Sequence, residues 1–242
     1  MSIGRYGSLQ ISQPPGPRLA VDGNLRSRRP QQPGRNRSLS LRVWVTTAVN
    51  AVHEEAKMSP RSRHKELITL EPYDEETGAL RVVIETPKGS RNKYNYDPES
   101  GAFELAKVLP EGMNFPFDFG FVPSTMAADG DPLDVLVLMD APAVPGCTLK
   151  ARALGAIEAR QKEKGSDWIR NDRLIALAEN ARVHESARSL DDLRPHVLED
   201  IKSFFTDYNE LFDKKFECIK DVGPKGAARL IKEAQKLFRK KH

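Results

Sequence analysis

The sequence has few cysteines and no long apolar run. Only two cysteines, Cys147 and Cys218, occur in 242 residues, and neither belongs to a CxxC pair or lies near a histidine at zinc-ligand spacing. We therefore expect no disulfide framework, no zinc site and a reducing compartment such as the cytoplasm. No apolar stretch approaches the roughly 20 residues that a membrane-spanning helix requires. The sequence thus predicts neither an integral membrane protein nor a membrane partner.

The positive charge of the chain is concentrated near its N-terminus. The net charge is +4, but residues 1–57 contain eight arginines and one lysine against three acidic residues, so the remainder is slightly acidic. This segment is also rich in Pro, Ser, Gly and Gln, a composition that cannot bury enough apolar surface to fold. We expect residues 1–60 to form a disordered basic extension and residues 65–242 to form one folded domain.

Three roles are compatible with this extension. It could be an Arg-rich organelle-targeting peptide, a tether to nucleic acid or membrane, or an inert extension ahead of a start at Met58. We favour the inert extension because strand-like sequence follows Met58 within a few residues. No nucleic-acid partner is therefore expected.

Short apolar-alternating runs separated by turn residues begin at about Glu66, as in the strands of a small barrel. Two amphipathic helices follow them, one with Ser189 as its N-cap and continuing to Phe212, the other at about residues 225–240. Strands followed by helices predict an α+β fold with the helices packed outside a barrel. The predicted strands are 66–71, 80–86, 92–96, 102–108, 133–139, 148–158 and 173–178.

The segment 128–138 has the sequence ADGDPLDVLVL and places Asp129, Asp131 and Asp134 on a Gly-Pro turn that leads into an apolar strand. Carboxylates this close repel one another, and hard divalent cations such as Mg²⁺ relieve such repulsion. An acidic surface turn is the alternative, since Asp and Gly are common in turns. An EF-hand loop is excluded, because Leu133 occupies a ligand position and no glutamate closes the loop.

The motif DGDPLDV resembles the signature of family I inorganic pyrophosphatases. The segments VVIETP, KYN, MNFPFDFGF, PGCTLKARALGAIE and SFFTDYNEL resemble other parts of that family in the same order, over about residues 65–240. The resemblance implies a Mg²⁺-dependent catalytic domain that hydrolyses diphosphate to two phosphates. It also implies a small closed OB-like barrel of mostly antiparallel strands and a homo-oligomer, which is a hexamer in bacterial members.

The resemblance assigns roles to individual residues. Asp129, Asp131 and Asp134 would bind Mg²⁺, and Asp131 would accept a proton from the attacking water. Asp167 and Asp172 would supply further metal ligands. The residues expected to contact the substrate are Glu85, Lys93, Lys107, Arg173 and Tyr208.

Four positions depart from the family pattern in a way that removes charge or hydrogen-bonding groups. Asn95 stands where the family usually has a carboxylate, Lys107 replaces an arginine, Phe119 a tyrosine, and Asn209 a lysine. Two hypotheses follow. The chain is either an active diphosphatase with an altered phosphate pocket, or a degenerate homologue that binds metal and phosphate ligands with little or no hydrolysis.

The second acidic group also departs from the pattern. Asp167 and Asp172 keep the family's D-x4-D spacing, but Arg173 follows directly, where the family has a lysine two residues on. An alternative register aligns Asn171 with the second aspartate and leaves Glu163 as the first.

Overall fold

The computed structural model describes residues 66–241, and the predicted basic extension lies outside them. Strands and helices alternate only near the C-terminal end of the described chain. In order, the elements are β1 (Leu80–Thr86), β2 (Asn92–Asp97), β3 (Ala102–Val108), β4 (Asp118–Val122), β5 (Leu133–Leu138), β6 (Thr148–Glu163), β7 (Ile169–Arg170), β8 (Arg173–Ala178), α1 (Val197–Glu210), β9 (Lys214–Val222) and α2 (Pro224–Lys241).

Five strands close into a barrel in the order β1–β4–β5–β8–β6, and β1 pairs with β6 to complete the ring. Only β5 and β8 are parallel; the other barrel pairs are antiparallel. Strand β6 is long enough to pair with β7 and β9 beyond the ring, and β2 and β3 form a separate hairpin. The α+β fold with a closed, OB-like barrel is thereby confirmed.

The centre of the hydrophobic core is formed by the apolar residues of the two parallel strands, β5 and β8. All six residues of β8, RLIALA, are buried, as are five of the six residues of β5, LDVLVL. Parallel strands covered on both faces have such continuous apolar runs. Helix α1 buries Ile201, Phe205 and Tyr208, and α2 buries Leu230 and Ile231, so both helices pack an apolar face against the sheet.

A close approach of two strands depends on a glycine. A Cβ at Gly120 on β4 would lie 1.9 Å from the carbonyl oxygen of Val83 on β1. Only glycine lets the backbones meet there. The register between these strands shifts between Ile84 and Thr86, which makes Glu85 the extra residue of a β-bulge. Bulges redirect a side chain, and they are common beside functional sites.

Several sequence expectations about elements were wrong. Residues 66–71 do not form a strand but contain a 3-10 turn at Leu67–Thr69. Strands β4, β7 and β9 were not predicted, and β6 extends to Glu163 rather than ending at 158. Ser189 caps a separate 3-10 turn, Leu190–Asp192, and the helix itself begins at Val197. In the described residues, no helix is long and apolar enough to cross a membrane.

Candidate active site

One open cavity of about 460 Å³ collects side chains from most elements of the fold. The aspartate loop before β5 forms one wall, and the β2–β3 hairpin, α1 and the ends of β6, β8 and β9 form the others. Of the ten predicted site residues, all except Asp167 and Asp172 line this cavity. Residues separated by more than 120 positions in the sequence therefore meet in one place.

The aspartate loop is held by hydrogen bonds that begin at Thr125. The Thr125 hydroxyl, which is almost fully buried, donates to the carbonyl of Val122 at 2.5 Å and accepts the backbone N–H of Leu133 at 3.0 Å. Within the loop, the N–H of Ala127 donates to the carbonyl of Asp131 at 2.7 Å. Gly130 has φ 96°, a conformation that favours glycine. These constraints direct the loop carboxylates toward the cavity.

Two of the loop carboxylates, Asp129 and Asp134, have raised pKa values. Burial, followed by the charges of Asp134 and Asp131, raises the pKa of Asp129 to about 6. Burial also raises the pKa of Asp134, although the nearby guanidinium of Arg173 opposes this. A group of carboxylates whose ionised forms are disfavoured in this way is stabilised by a cation placed among them.

Glu85 faces the cavity from the bulge in β1 and is only 9% exposed. One of its oxygens accepts the backbone N–H of Tyr96 at 2.8 Å. Burial raises the pKa of Glu85 to about 7, and the positive charge of Lys93 counteracts part of this effect. The pKa of Glu85 therefore lies near neutral pH, where the carboxyl exchanges between its protonated and ionised forms.

Two lysines of the β2–β3 hairpin contact aromatic rings in the cavity. The ammonium of Lys93 lies 5.3 Å from the ring centroid of Phe119 and donates to the side-chain oxygen of Asn95. The ammonium of Lys107 lies 3.8 Å from the ring of Phe212 and 5.5 Å from that of Tyr208. Such cation–π contacts hold the lysines in place without neutralising their charge.

Tyr208 presents its side chain from α1 and is 8% exposed. Burial raises the pKa of its hydroxyl to about 12, so the group stays protonated and can donate a hydrogen bond at neutral pH. The next residue, Asn209, is 2% exposed, and its amide donates to the carbonyl of Phe205 at 2.8 Å. The amide of Asn209 is thus engaged by its own helix.

Arg173 is the most enclosed cation of the site. Its side chain is 7% exposed, forms an ion pair with Asp134 and donates to the side-chain oxygen of Asn171. The guanidinium also lies over the rings of Phe205 and Phe216, at 5.0 and 5.7 Å from their centroids. Among residues 66–241 the buried Nε of Arg173 has no hydrogen-bond partner.

The structure does not bring Asp167 or Asp172 to the cavity, and their prediction as metal ligands there needs correction. Asp167 is exposed in the loop before β7. Asp172 is buried on the other side of the strand, where it accepts the N–H of Ala159 at 2.9 Å and pairs with Arg170. Alternation along the strand turns Asn171 and Arg173 inward and Asp172 away. The placement agrees with the alternative register, in which Asn171 occupies the inward position.

The family model described as "Pyrophosphatase: Inorganic pyrophosphatase" matches residues 82–239. The chain belongs to the inorganic pyrophosphatase family. A relative named inorganic pyrophosphatase from Synechocystis is 38% identical over 153 residues, covering 62% of this chain and 88% of the relative. Another, from Halalkalibacterium halodurans, is 39% identical over 158 residues, covering 65% of this chain and 94% of the relative.

Solved structures of inorganic pyrophosphatases have the same fold. The crystal structure from Thermus thermophilus has a TM-score of 0.65 and 32% identity, covering 72% of this chain and 99% of the other. The structure from Helicobacter pylori has a TM-score of 0.63 and 34% identity, covering 70% of this chain and 98% of the other. Each of these two matches spans almost the whole length of the solved chain.

Inorganic pyrophosphatases of this family are metal-dependent, and the donor set of the cavity fits a hard cation. Asp129, Asp131, Asp134 and Glu85 offer carboxylate oxygens, which are the ligands that such ions prefer. Within residues 66–241, no three carboxylate, histidine or cysteine groups already stand at the close spacing of a preformed metal cluster. Pairing of Asp134 with Arg173 and repulsion between the loop carboxylates both oppose such a cluster.

Sequence reasoning missed several cavity residues, among them Gln161, Lys214 and Asn171. Gln161 and Lys214 line the cavity from β6 and β9, and Asn171 does so from the position just before β8. Asn171 was named only in the alternative register. Strand alternation could have revealed Lys214, because Phe216 and Cys218 share its face of β9, but that strand was not predicted.

Proposed function

We propose that this chain hydrolyses diphosphate to two phosphates. The observation that carries the proposal is a single cavity lined by both carboxylates and cations. Asp129, Asp131 and Asp134 line it together with Lys93, Lys107 and Arg173. Such an arrangement suits a substrate that is itself highly anionic and requires both metal ions and basic side chains. Membership of the inorganic pyrophosphatase family supports the same reaction.

We assign the metal-binding role to Asp129, Asp131 and Asp134, with Mg²⁺ as the proposed ion. When bound, Mg²⁺ would lower the pKa of a water and offset the charge of the phosphates. Asp131 is the most exposed of the three carboxylates, at the tip of the loop. It is proposed to accept the proton of the attacking water, which requires it to stand within hydrogen-bond reach of that water.

The basic side chains and Tyr208 would stabilise the leaving phosphate. As the P–O bond breaks, negative charge grows on the departing group, and donors already held in position lower the energy of that state. Lys93 and Lys107 supply ammonium groups, Arg173 supplies a guanidinium, and Tyr208 supplies a protonated hydroxyl. Lys107 provides charge without the paired donors that an arginine would offer.

The degenerate-homologue hypothesis is not favoured. The relatives and structural neighbours described above are named pyrophosphatases, and the loop retains its three aspartates. The ion pair between Asp134 and Arg173 is the feature that speaks for weaker metal binding, because a cation must compete with the guanidinium for that carboxylate. We expect this competition to raise the Mg²⁺ concentration needed for activity.

The test is phosphate release from diphosphate, measured with and without Mg²⁺. We expect release only with Mg²⁺, and a loss of at least 100-fold in Asp131→Ala, the scale of a general base. Asp207→Ala is the matched control, since Asp207 is exposed on α1 and does not line the cavity. Full activity of Asp131→Ala would refute the assigned base, and absence of Mg²⁺-dependent release by the wild type would refute the reaction.

We further propose that the protein works in the cytoplasm as a homo-oligomer, with hexamers as the family resemblance suggests. Free Cys147 and Cys218 support a reducing compartment. Exposed apolar side chains on the hairpin and on β9, Leu105, Val108 and Ile219, support association between copies. Sedimentation of the purified chain tests the assembly, and a monomer at micromolar concentration would contradict it.

A further inference from the structure

Lys214, the first residue of β9, lines the active-site cavity. Burial alternates along this strand, with Lys214, Phe216 and Cys218 partly buried and Lys215, Glu217 and Ile219 exposed. Phe216 on the same face contacts the Arg173 guanidinium. Side chains two residues apart lie on one face of a strand. Lys214 therefore shares the cavity face with residues already assigned to the site, whereas Lys215 faces away.

The present partner of Lys214 holds it weakly. Its ammonium lies 2.7 Å from a carboxylate oxygen of Glu163, which is directly opposite on β6. The side chain of Glu163 is 66% exposed and that of Lys214 30%. Ion pairs this accessible to water contribute little, because solvent screens them and two long side chains lose freedom. Lys214 can exchange this partner for another anion at small cost.

Lys93, Lys107 and Lys214 all line this cavity. Burial lowers the pKa of Lys107, and the like charges of Lys214 and Lys93 lower it further. The negative charge of Glu163 opposes this effect. Positive charges gathered in a partly enclosed space favour the entry of an oxyanion, which each ammonium can contact with a charge-assisted hydrogen bond.

Lys214 lines the same cavity as Asn209. Asn209 carries no charge, and its amide is engaged with the carbonyl of Phe205. In this part of the cavity the cation is therefore supplied by β9 rather than by α1.

We propose that Lys214 is a substrate-binding residue that, together with Lys107, binds a phosphate group of diphosphate. Glu163 is its resting counter-ion and is released when the phosphate enters. This inference rests on the proposed function for the identity of the substrate. The binding of inorganic phosphate, however, can be measured without any hydrolysis.

The experiment compares Lys214→Gln with Lys215→Gln, two neighbouring lysines on opposite faces of β9. Calorimetric titration of the full-length protein with inorganic phosphate, in Mg²⁺ buffer, gives the Kd, and steady-state kinetics give KM and kcat. We expect Lys214→Gln to raise the phosphate Kd and the diphosphate KM by about tenfold, the loss of one charge-assisted contact. Lys215→Gln should change both by less than twofold, and Lys214→Arg should retain most of the affinity.

Glu163→Gln provides an independent arm. Removing the counter-ion frees Lys214, so phosphate should bind two- to fivefold more tightly. Equal effects of Lys214→Gln and Lys215→Gln, or an unchanged phosphate Kd in Lys214→Gln, would overturn the assignment. If the wild type releases no phosphate from diphosphate, the proposed function fails. The phosphate Kd values still decide the role of Lys214 in that case.

Discussion

The ion pair between Arg173 and Asp134 offers a quantitative test of the site. Both groups are largely removed from water, with side-chain exposures of 7% and 24%, and the guanidinium is enclosed by Phe205 and Phe216. Removing one partner of a buried pair leaves the other charge without compensation, which costs about 3–5 kcal/mol. Replacing both partners costs less, because neither charge is then left alone.

We therefore expect a strong coupling in a double-mutant cycle. Arg173→Met and Asp134→Asn should each lower the free energy of unfolding, Arg173→Met by about 3–5 kcal/mol. Asp134 is the more exposed partner, and we expect the smaller loss from its replacement. The double variant should be at least about 2 kcal/mol more stable than the sum of the two losses predicts.

The assay is urea denaturation in buffer with a metal chelator, so that no cation replaces the arginine. The linear extrapolation of the unfolding free energy for the wild type, the two single variants and the double variant completes the cycle. Additive losses, within about 0.5 kcal/mol, would show that the two side chains do not interact energetically. That result would also remove the argument that Arg173 competes with metal for Asp134.

Three other predictions follow from the fold and the site. Gly120→Ala should destabilise the barrel by about 3 kcal/mol or more in the urea denaturation assay, because its Cβ would lie 1.9 Å from the Val83 carbonyl oxygen. Gly223→Ala is the control: a Cβ there meets open space, and stability should change by less than about 1 kcal/mol. Similar values for both would refute the close approach. The pKa of Glu85 is raised from 4.5 to about 7 in the folded state. The unfolded chain therefore loses the proton first, and in buffer with a metal chelator the free energy of unfolding should fall as the pH rises from about 4.5 to 7, by up to about 3 kcal/mol. Glu85→Gln should remove this loss, and an unchanged pH profile would argue against a buried, protonated Glu85 facing Lys93. Deletion of residues 1–57 should leave the thermal midpoint and phosphate release unchanged, and loss of either would contradict an inert extension.

Four of the five barrel strands could be predicted because their apolar runs are strong and local. Strands β1, β5, β6 and β8 begin at the predicted positions, whereas β4 was missed. Strand β9 was not predicted because most residues of KKFECIKDV are charged or exposed. Its formation depends on pairing with β6 along the side of the barrel, which is a tertiary effect. Helix α1 begins later in the sequence than predicted. Ser189 and Asp192 do form a capping box, but it caps the short 3-10 turn Leu190–Asp192 instead of α1.

The site could be predicted where a motif fixes the register and not where a loop changes length. The aspartate loop and its partners Glu85, Lys93 and Tyr208 reach one cavity, as the order of motifs indicated. Asp167 and Asp172 matched the spacing of a metal-binding pair, but strand alternation before β8 turns Asp172 toward Arg170. Spacing in sequence does not state which face of a strand a residue occupies, and here a shift of one residue reverses it.

The most direct measurement of the central claim follows diphosphate itself. With the full-length chain, Mg²⁺ and water enriched in ¹⁸O, ³¹P NMR should show the diphosphate signal replaced by inorganic phosphate. Half of the phosphate product should carry one ¹⁸O atom, since one water attacks each diphosphate. Persistence of the diphosphate signal with Mg²⁺ present would contradict the proposed hydrolysis.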